Sequence, residues 1–476
     1  PYNKGGLYRK WYGNQDYVVN WENGGFEVKE YARSLYKNDT RTIKNQQFYF
    51  KECVSWSKIS SGNAAFRYYG QGFIFSDAGM AVFSNNKKLL LYIAAFLNSC
   101  VCRKLLEALS PTMNFEAGQI QKLPLIENEE SISTGAEIVE ECILLAKDDW
   151  DDFETSWYFK QHPLVRHTLI NGDNKNISVS FDAWNAKKEE NFGKLAQLEI
   201  QLNDLFINLY NLNRELVPSS EQKDNPIRKA DVKREIKSLL SYAVGCMFGR
   251  YSLDVEGLVF AGGAWDTSKY SKFLPDEDNV IPITDRKYMD DDIVERLCEF
   301  LKVVYGEKSL DDNLDFIANA LGNKGSTSKE IIRNYFLNDF FKDHCKIYQK
   351  RPIYWLFDSG KQNGFKALVY MHRWNQNCIG RVLVYLHKIQ EKYEIEVRAI
   401  DAMLEHMTDK RQQAAEEKRR DHLSKQIAEI KEYDERLDHM ANEHVDIDLD
   451  DGVKVNYEKV QIDRNGTKFN ILATIK

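Results

Sequence analysis

The segment 1–14 reads PYNKGGLYRKWYGN and sets Lys4, Arg9 and Lys10 among the rings of Tyr2, Tyr8, Trp11 and Tyr12. Cations interleaved with aromatic rings suit a polyanion that carries flat bases, because the cations attract phosphate and the rings pack on sugar and base. The adjacent Gly5 and Gly6 let the backbone come close to whatever binds there. A second cluster, VSWSKISSG at 54–62, joins the hydroxyls of Ser57 and Ser60 to Lys58, and Arg67-Tyr68-Tyr69 follows. Hydroxyls and backbone N–H groups hold phosphates, while an arginine can clamp guanine through two hydrogen bonds. Taken alone, the first cluster has a plainer reading, with Trp11 and Tyr12 in a core and the lysines simply exposed. Two such clusters on a strand–loop framework resemble a surface that reads sequence.

Other chemistry is mostly absent. No G-x-x-x-x-G-K-[ST] phosphate loop and no G-x-S-x-G elbow occurs. His162 and His167, like His439 and His444, are spaced so that two imidazoles do not stack on one helical face, which favours structural or surface roles. Asp446 to Gly452 resembles a calcium loop but puts Asp451 where that loop needs glycine, so an acidic turn is the better reading, and no metal site is expected. Asp290-Asp291-Asp292 reads as a solvated helix start, and the Gly245-x-x-x-Gly249 pair as close helix packing.

The 476 residues exceed one hydrophobic core, and 43% hydrophobic content marks a globular chain. A net charge of −7 excludes a wholly basic nucleic-acid binder. Residues 1–125, however, hold 16 Lys+Arg against 9 Asp+Glu, which places a polyanion-facing surface in the first quarter. The eight cysteines include no C-x-x-C pair and read as reduced core residues of a cytoplasmic protein. No apolar run reaches the length of a membrane span. A chain opening on Pro1 with a motif already under way is expected to be the back part of a longer protein.

The elements that must position these residues follow from periodicity. The expected fold class is α+β: a mixed, strand-rich domain at 1–126, a helical segment at 127–220, an α/β region ending in a hairpin at 221–375, a long helical pair at 376–445 and a tail of strands and turns at 446–476. Short aromatic strands are expected at 48–50 and 72–75, and one helix at 88–109, ended by Ser110-Pro111. Residues 148–152 read as an acidic helix start. Helices are expected at 132–146, 192–216, 232–248, 290–304 and 328–348, and a hairpin at 354–371. From 379 to 444 apolar residues recur in steps of three and four, interrupted by a charged gap at 408–422. One helix of roughly 65 residues or an antiparallel pair both fit; the pair is favoured because two narrow stripes can then bury each other.

Several stretches together resemble the adenine-specific DNA methyltransferases of bacteriophage-exclusion (BREX) systems, the PglX group, itself related to fused restriction–modification methyltransferases. They are KGGLYRKWYGN (4–14), SWSKISSG (55–62), GFIFSDAG (72–79), FLNS (96–99), LSPTMNFEAGQIQKLPL (109–125), YAVGCMFGRYSLD (242–254), RPIYWLFDSGKQNGFKALVYMHRW (351–374) and DIDLDDGVKVNY (446–457). The resemblance implies a DNA target-recognition domain followed by helical spacer elements, matching the C-terminal half of that family. Its phosphate- and base-contacting surface would map onto Lys4, Tyr8, Arg9, Lys10, Trp11, Ser57, Lys58, Ser60 and Arg67. The family's N-terminal half binds S-adenosylmethionine and extrudes the target adenine. The N-P-P-[YF] motif and glycine-rich cofactor loop of that half do not occur in these 476 residues, so this chain is expected to carry no cofactor and no catalytic residue. Double-stranded DNA is the expected partner, with other phage-defence subunits as further candidates and no membrane. Two rival readings stand beside it: the specificity half of a fused restriction endonuclease, and a non-enzymatic scaffold with the helical pair as its partner-binding arm.

Overall fold

The computed structural model describes residues 1–60, 62–109, 114–170, 175–322 and 324–475. Ser61 of the second cluster, the Ser110-Pro111 helix stop and part of the 109–125 motif lie outside the described residues. The fold is α+β, with helices dominating and sheets of two and three strands. The chain forms two units, Pro1–Tyr158 with Trp184–Ala230 and Phe159–Ala183 with Asp231–Lys476.

In the first unit, Cys53–Ser57 is the central strand of an antiparallel sheet, between Phe66–Tyr69 and Gly79–Val82. Four of its five residues are buried, Ser55 among them. The helices Lys87–Asn98, Cys100–Leu109 and Glu129–Asp151, with the later part of Ile177–Leu209, complete a core that includes Trp11, Trp56, Phe66, Phe96, Val101 and Phe206. Two expectations fail here. The helix expected at 88–109 is two helices bent by 67°, because Ser99 turns extended and its hydroxyl caps Cys102 N at 3.1 Å. No strand forms at 48–50: Gln46–Phe48 is a 3-10 turn, and Phe50 stands in the left-handed region at φ 65°. Only Ile74–Phe75 of the second aromatic stretch pairs, in parallel with Tyr2–Asn3.

Residues 148–152 do not start a helix; they close Glu129–Asp151. The reason is electrostatic. Asp149, 1% exposed, receives Lys188 at 2.9 Å, Arg9 at 3.0 Å and Arg228 at 3.6 Å, and Lys188 also reaches Asp152 at 2.7 Å. Three cations override the unfavourable placement of acids at a helix C-terminus.

In the second unit, Lys366–Tyr370 is the central strand between Ile281–Pro282 and Tyr354–Asp358, and the expected hairpin is present. Ser328–Asn338 and Phe340–Ile347 replace the single helix expected at 328–348. Asp292 is no solvated start: it is fully buried, caps Val294 and Glu295, and pairs with Arg333 at 2.8 Å. After the acidic 446–452 turn comes a helix, Val453–Lys459, where only strands and turns were expected. Cys378–Leu404 and Lys410–Asn442 form the antiparallel pair, shown by His387–Asp434 and Glu396–Arg419 running in opposite order along the two helices. The chain reverses at 405–409, where Asp409 caps Arg411 N at 2.8 Å, so the charged gap becomes helix rather than loop. All eight cysteines are buried and unbridged. Among the described residues no single helix is long and apolar enough to cross a membrane.

The Asp149 cluster yields the first testable outcome. Asp149→Asn strands three cations in the interior and should lower unfolding stability by about 3–5 kcal/mol, read as the urea midpoint at constant slope. Burial pushes the Asp149 carboxyl up, but Lys188, Arg228 and Arg9 outweigh it and hold it below the ordinary carboxylate value. A depressed folded value means stabilisation that is complete above the unfolded value of about 3.9 and is lost as pH falls through the folded one. The gap between wild type and Asp149→Asn should therefore be full at pH 7 and shrink below about pH 4; a gap independent of pH would remove the charge from the explanation.

Candidate nucleic-acid interface

The N-terminal motif is held on the sheet by backbone pairing. Trp11 N donates to Phe66 O at 3.0 Å, and Tyr68 N donates to Trp11 O at 2.9 Å. This attachment puts the Trp11 ring in the core, 1% exposed, with its indole N–H on Glu199 Oε1 at 3.0 Å. Lys10 shares that carboxylate at 3.2 Å. Arg9 donates to Tyr12 O, Pro226 O, Ala146 O and Asp149, all within 3.1 Å, and its guanidinium lies 5.1 Å from the centre of the Trp150 ring. Arg67, 1% exposed, donates to Arg9 O and Ser57 Oγ, both at 3.1 Å.

The structure thus brings most of the expected site residues together but turns the strongest of them inward. Arg9, Trp11 and Arg67 lie together, yet they form the scaffold and not an open face, because acceptors inside the fold take most of their donors. The glycines serve the same packing. A Cβ on Gly5 would meet Ala78 O at 2.6 Å and one on Gly6 would meet Asn14 Nδ2 at 2.7 Å; both have positive φ. What approaches this backbone is the protein itself. Ser57 exchanges hydrogen bonds with Gly6, and the Ser60 hydroxyl is spent on Asn63 O at 2.9 Å. Lys58 is partly exposed beside Glu116 at 3.0 Å. Lys4 is exposed, with its ammonium 5.1 Å from the Tyr17 ring centre.

Tyr8 and Lys10 border a cavity of about 410 Å³ together with Arg103, Glu199, Glu221 and Asp224. Its acids hold its cations, Arg103 lying 2.5 Å from Glu221. The Tyr8 hydroxyl is pushed far up by burial, then by Asp224 and Glu199, and stays a neutral donor to Asp224. An acid-rich rim of this kind disfavours phosphate.

Further outward-facing cations lie in a segment that sequence reasoning passed over. Residues 17–51 wrap a small core of Ala32, Ile43, Tyr49 and Ile74, packed with Trp21 and Phe75. Only Ala32 of the Phe26–Tyr36 helix is buried, and Phe26, Tyr31, Leu35 and Tyr36 are exposed. Lys37, Arg41, Lys44 and Lys51 are exposed around them and hold no ion pair among the described residues. Arg41 sits 4.6 Å from the Tyr36 ring centre, Lys29 5.3 Å from Trp21 and Lys51 5.5 Å from Phe48. Rings with cations over their faces, half exposed, can serve both phosphate and stacked surfaces. The signal in the sequence was the recurrence of a cation every few residues from 29 to 51, with Tyr and Phe between.

No family model matches the chain. It is 43% identical over 471 residues to the adenine-specific methyltransferase PglX of Lacticaseibacillus casei (strain Zhang), covering 97% of this chain and 39% of that protein. It is 34% identical over 491 residues to the adenine-specific methyltransferase BrxX of Escherichia coli O9:H4 (strain HS), covering 96% of this chain and again 39% of the relative. The chain therefore spans about two fifths of the length of these curated relatives. An alignment that runs through both units at this identity marks common descent: the chain is homologous to about two fifths of each of these two adenine-specific methyltransferases.

Proposed function

We propose that this chain is the DNA-gripping C-terminal part of a phage-defence adenine-N6 methyltransferase, acting for a catalytic part that lies in sequence outside it. The observation that carries the reading is the match of almost the whole chain to a minor share of two adenine-specific methyltransferases. The absence of the N-P-P-[YF] motif from these residues supports the same division of labour. S-adenosylmethionine would then be held by that other part, where the adenine is also extruded. On this reading, Lys4, Lys58 and the cations at Lys37, Arg41, Lys44 and Lys51 meet phosphates. Arg9, Trp11 and Arg67 act one layer down, fixing the segment that follows Lys4.

Fluorescence anisotropy with a labelled duplex tests the surface. Replacing Lys37, Arg41, Lys44 and Lys51 by Ala should weaken binding about tenfold or more near physiological salt. The log–log salt slope should fall by about 1 for each phosphate that is no longer neutralised. Lys410→Ala with Lys418→Ala, in the other unit, should leave both unchanged. Equal affinity and slope in the fourfold variant would take this surface out of the interface. Arg67→Ala should instead register as a lower urea midpoint, since its acceptors are all internal.

A second outcome concerns chemistry. The chain alone should transfer no labelled methyl group from S-adenosylmethionine to duplex DNA, whereas a full-length relative should. Measurable transfer by the chain would overturn the division proposed here.

A further inference from the structure

Lys366 opens the central strand of the second unit's sheet and pairs across the hairpin with Asp358. It is 8% exposed, and its ammonium lies 2.9 Å from Leu337 O and 3.5 Å from the Asp358 carboxylate. Two of its three N–H donors are thereby used. Lys366 also lines a cavity of about 410 Å³, within the range of small-molecule sites. Lys342 and Lys361 border the same cavity, and Phe336, Phe341 and Leu356 give it an apolar wall. Asp358 is the one carboxylate among the cavity's lining residues, against the ammonium groups of Lys342, Lys361 and Lys366; Lys342 also lies 3.8 Å from Asp339, outside the lining. Burial pushes the Asp358 carboxyl up, with Glu429 adding to the rise and Lys366 opposing it.

The rim is held in place from behind. Glu429 accepts from Ser359 Oγ at 2.7 Å, Gln362 N at 2.7 Å and Gly364 N at 3.0 Å, which fixes the hairpin turn. Gly360 has φ +146°, and a Cβ there would lie 2.7 Å from Glu429 Oε2, so glycine is required for this closure. Lys361 is thus carried on a backbone already ordered before any ligand arrives, which lowers the entropy cost of binding.

We propose that this cavity binds a small organic anion, with a phosphate or carboxylate head among Lys342, Lys361 and Lys366 and a flat apolar body against Phe336, Phe341 and Leu356. A desolvated ammonium gains most from an anionic acceptor, through a short charge-assisted hydrogen bond. The inference does not depend on the DNA reading, since every residue in it belongs to the second unit.

Isothermal titration calorimetry of the chain with adenosine 5′-monophosphate, benzoate and adenosine tests it. Saturable binding of either anion, and none of adenosine, is expected; which anion binds identifies the head group. Lys342→Ala with Lys361→Ala should weaken that binding about tenfold, because two charge-assisted hydrogen bonds to the head group are removed. Lys366→Met should abolish it. Thermal unfolding with and without the anion checks that each variant is folded, and the double variant alone decides the matter if Lys366→Met is not. The proposal is overturned if neither anion binds saturably, if adenosine binds as tightly as its monophosphate, or if the double variant retains wild-type affinity.

Discussion

One buried carboxylate organises the N-terminal unit. Asp149 sits where the long Glu129–Asp151 helix ends, and cations from three distant parts of the chain converge on it: Arg9, Lys188 and Arg228. An ionised group taken out of water is tolerated only when its partners are placed with care, so the cluster fixes where the first strand-like segment, the later helix and the 226–228 loop can lie. The placing of Trp11 on the sheet, the inward turn of Arg67 and the seating of Lys10 on Glu199 belong to the same arrangement. Whatever meets the outside world in this unit is left to the residues that the cluster does not consume.

That division explains what was legible in the sequence and what was not. The hairpin was legible because alternation and a turn-rich loop are local signals, and the helical pair because two stripes of apolar residues need each other. The grouping of the N-terminal motif with 54–69 was legible too, since both clusters share one composition. Their orientation was not. A basic residue looks alike in sequence whether its counter-charge is a phosphate or a carboxylate 140 positions away, as for Arg9 and Asp149. The acids at 148–152 and Asp292 were misread for the same reason, each matched to a helix dipole or to water when its partner was an arginine or lysine in the fold. The bend at Ser99 and the irregular 46–50 stretch failed differently: there a single residue's backbone geometry decided the outcome, with no periodic trace.

The two candidate surfaces illustrate opposite ways of keeping cations useful. In 17–51 they remain solvated over exposed rings, so they are strongly screened by salt and indifferent to the shape of what they meet. Around Lys366 the charge is desolvated and the turn beside it is clamped by Glu429, so shape and head-group chemistry matter more than ionic strength. The first arrangement suits a long polymer; the second suits a small molecule.

At the reversal around 405–409 the helical pair runs out of neighbours. Arg419 binds Asp285 and Glu396, and beyond that anchorage residues 401–418 are all exposed or half-exposed. The outermost turns of both helices therefore touch little besides each other, and a turn added to each side would lengthen them by about 5 Å without altering either root. A fluorophore or surface tether fixed there would leave the second unit's sheet undisturbed.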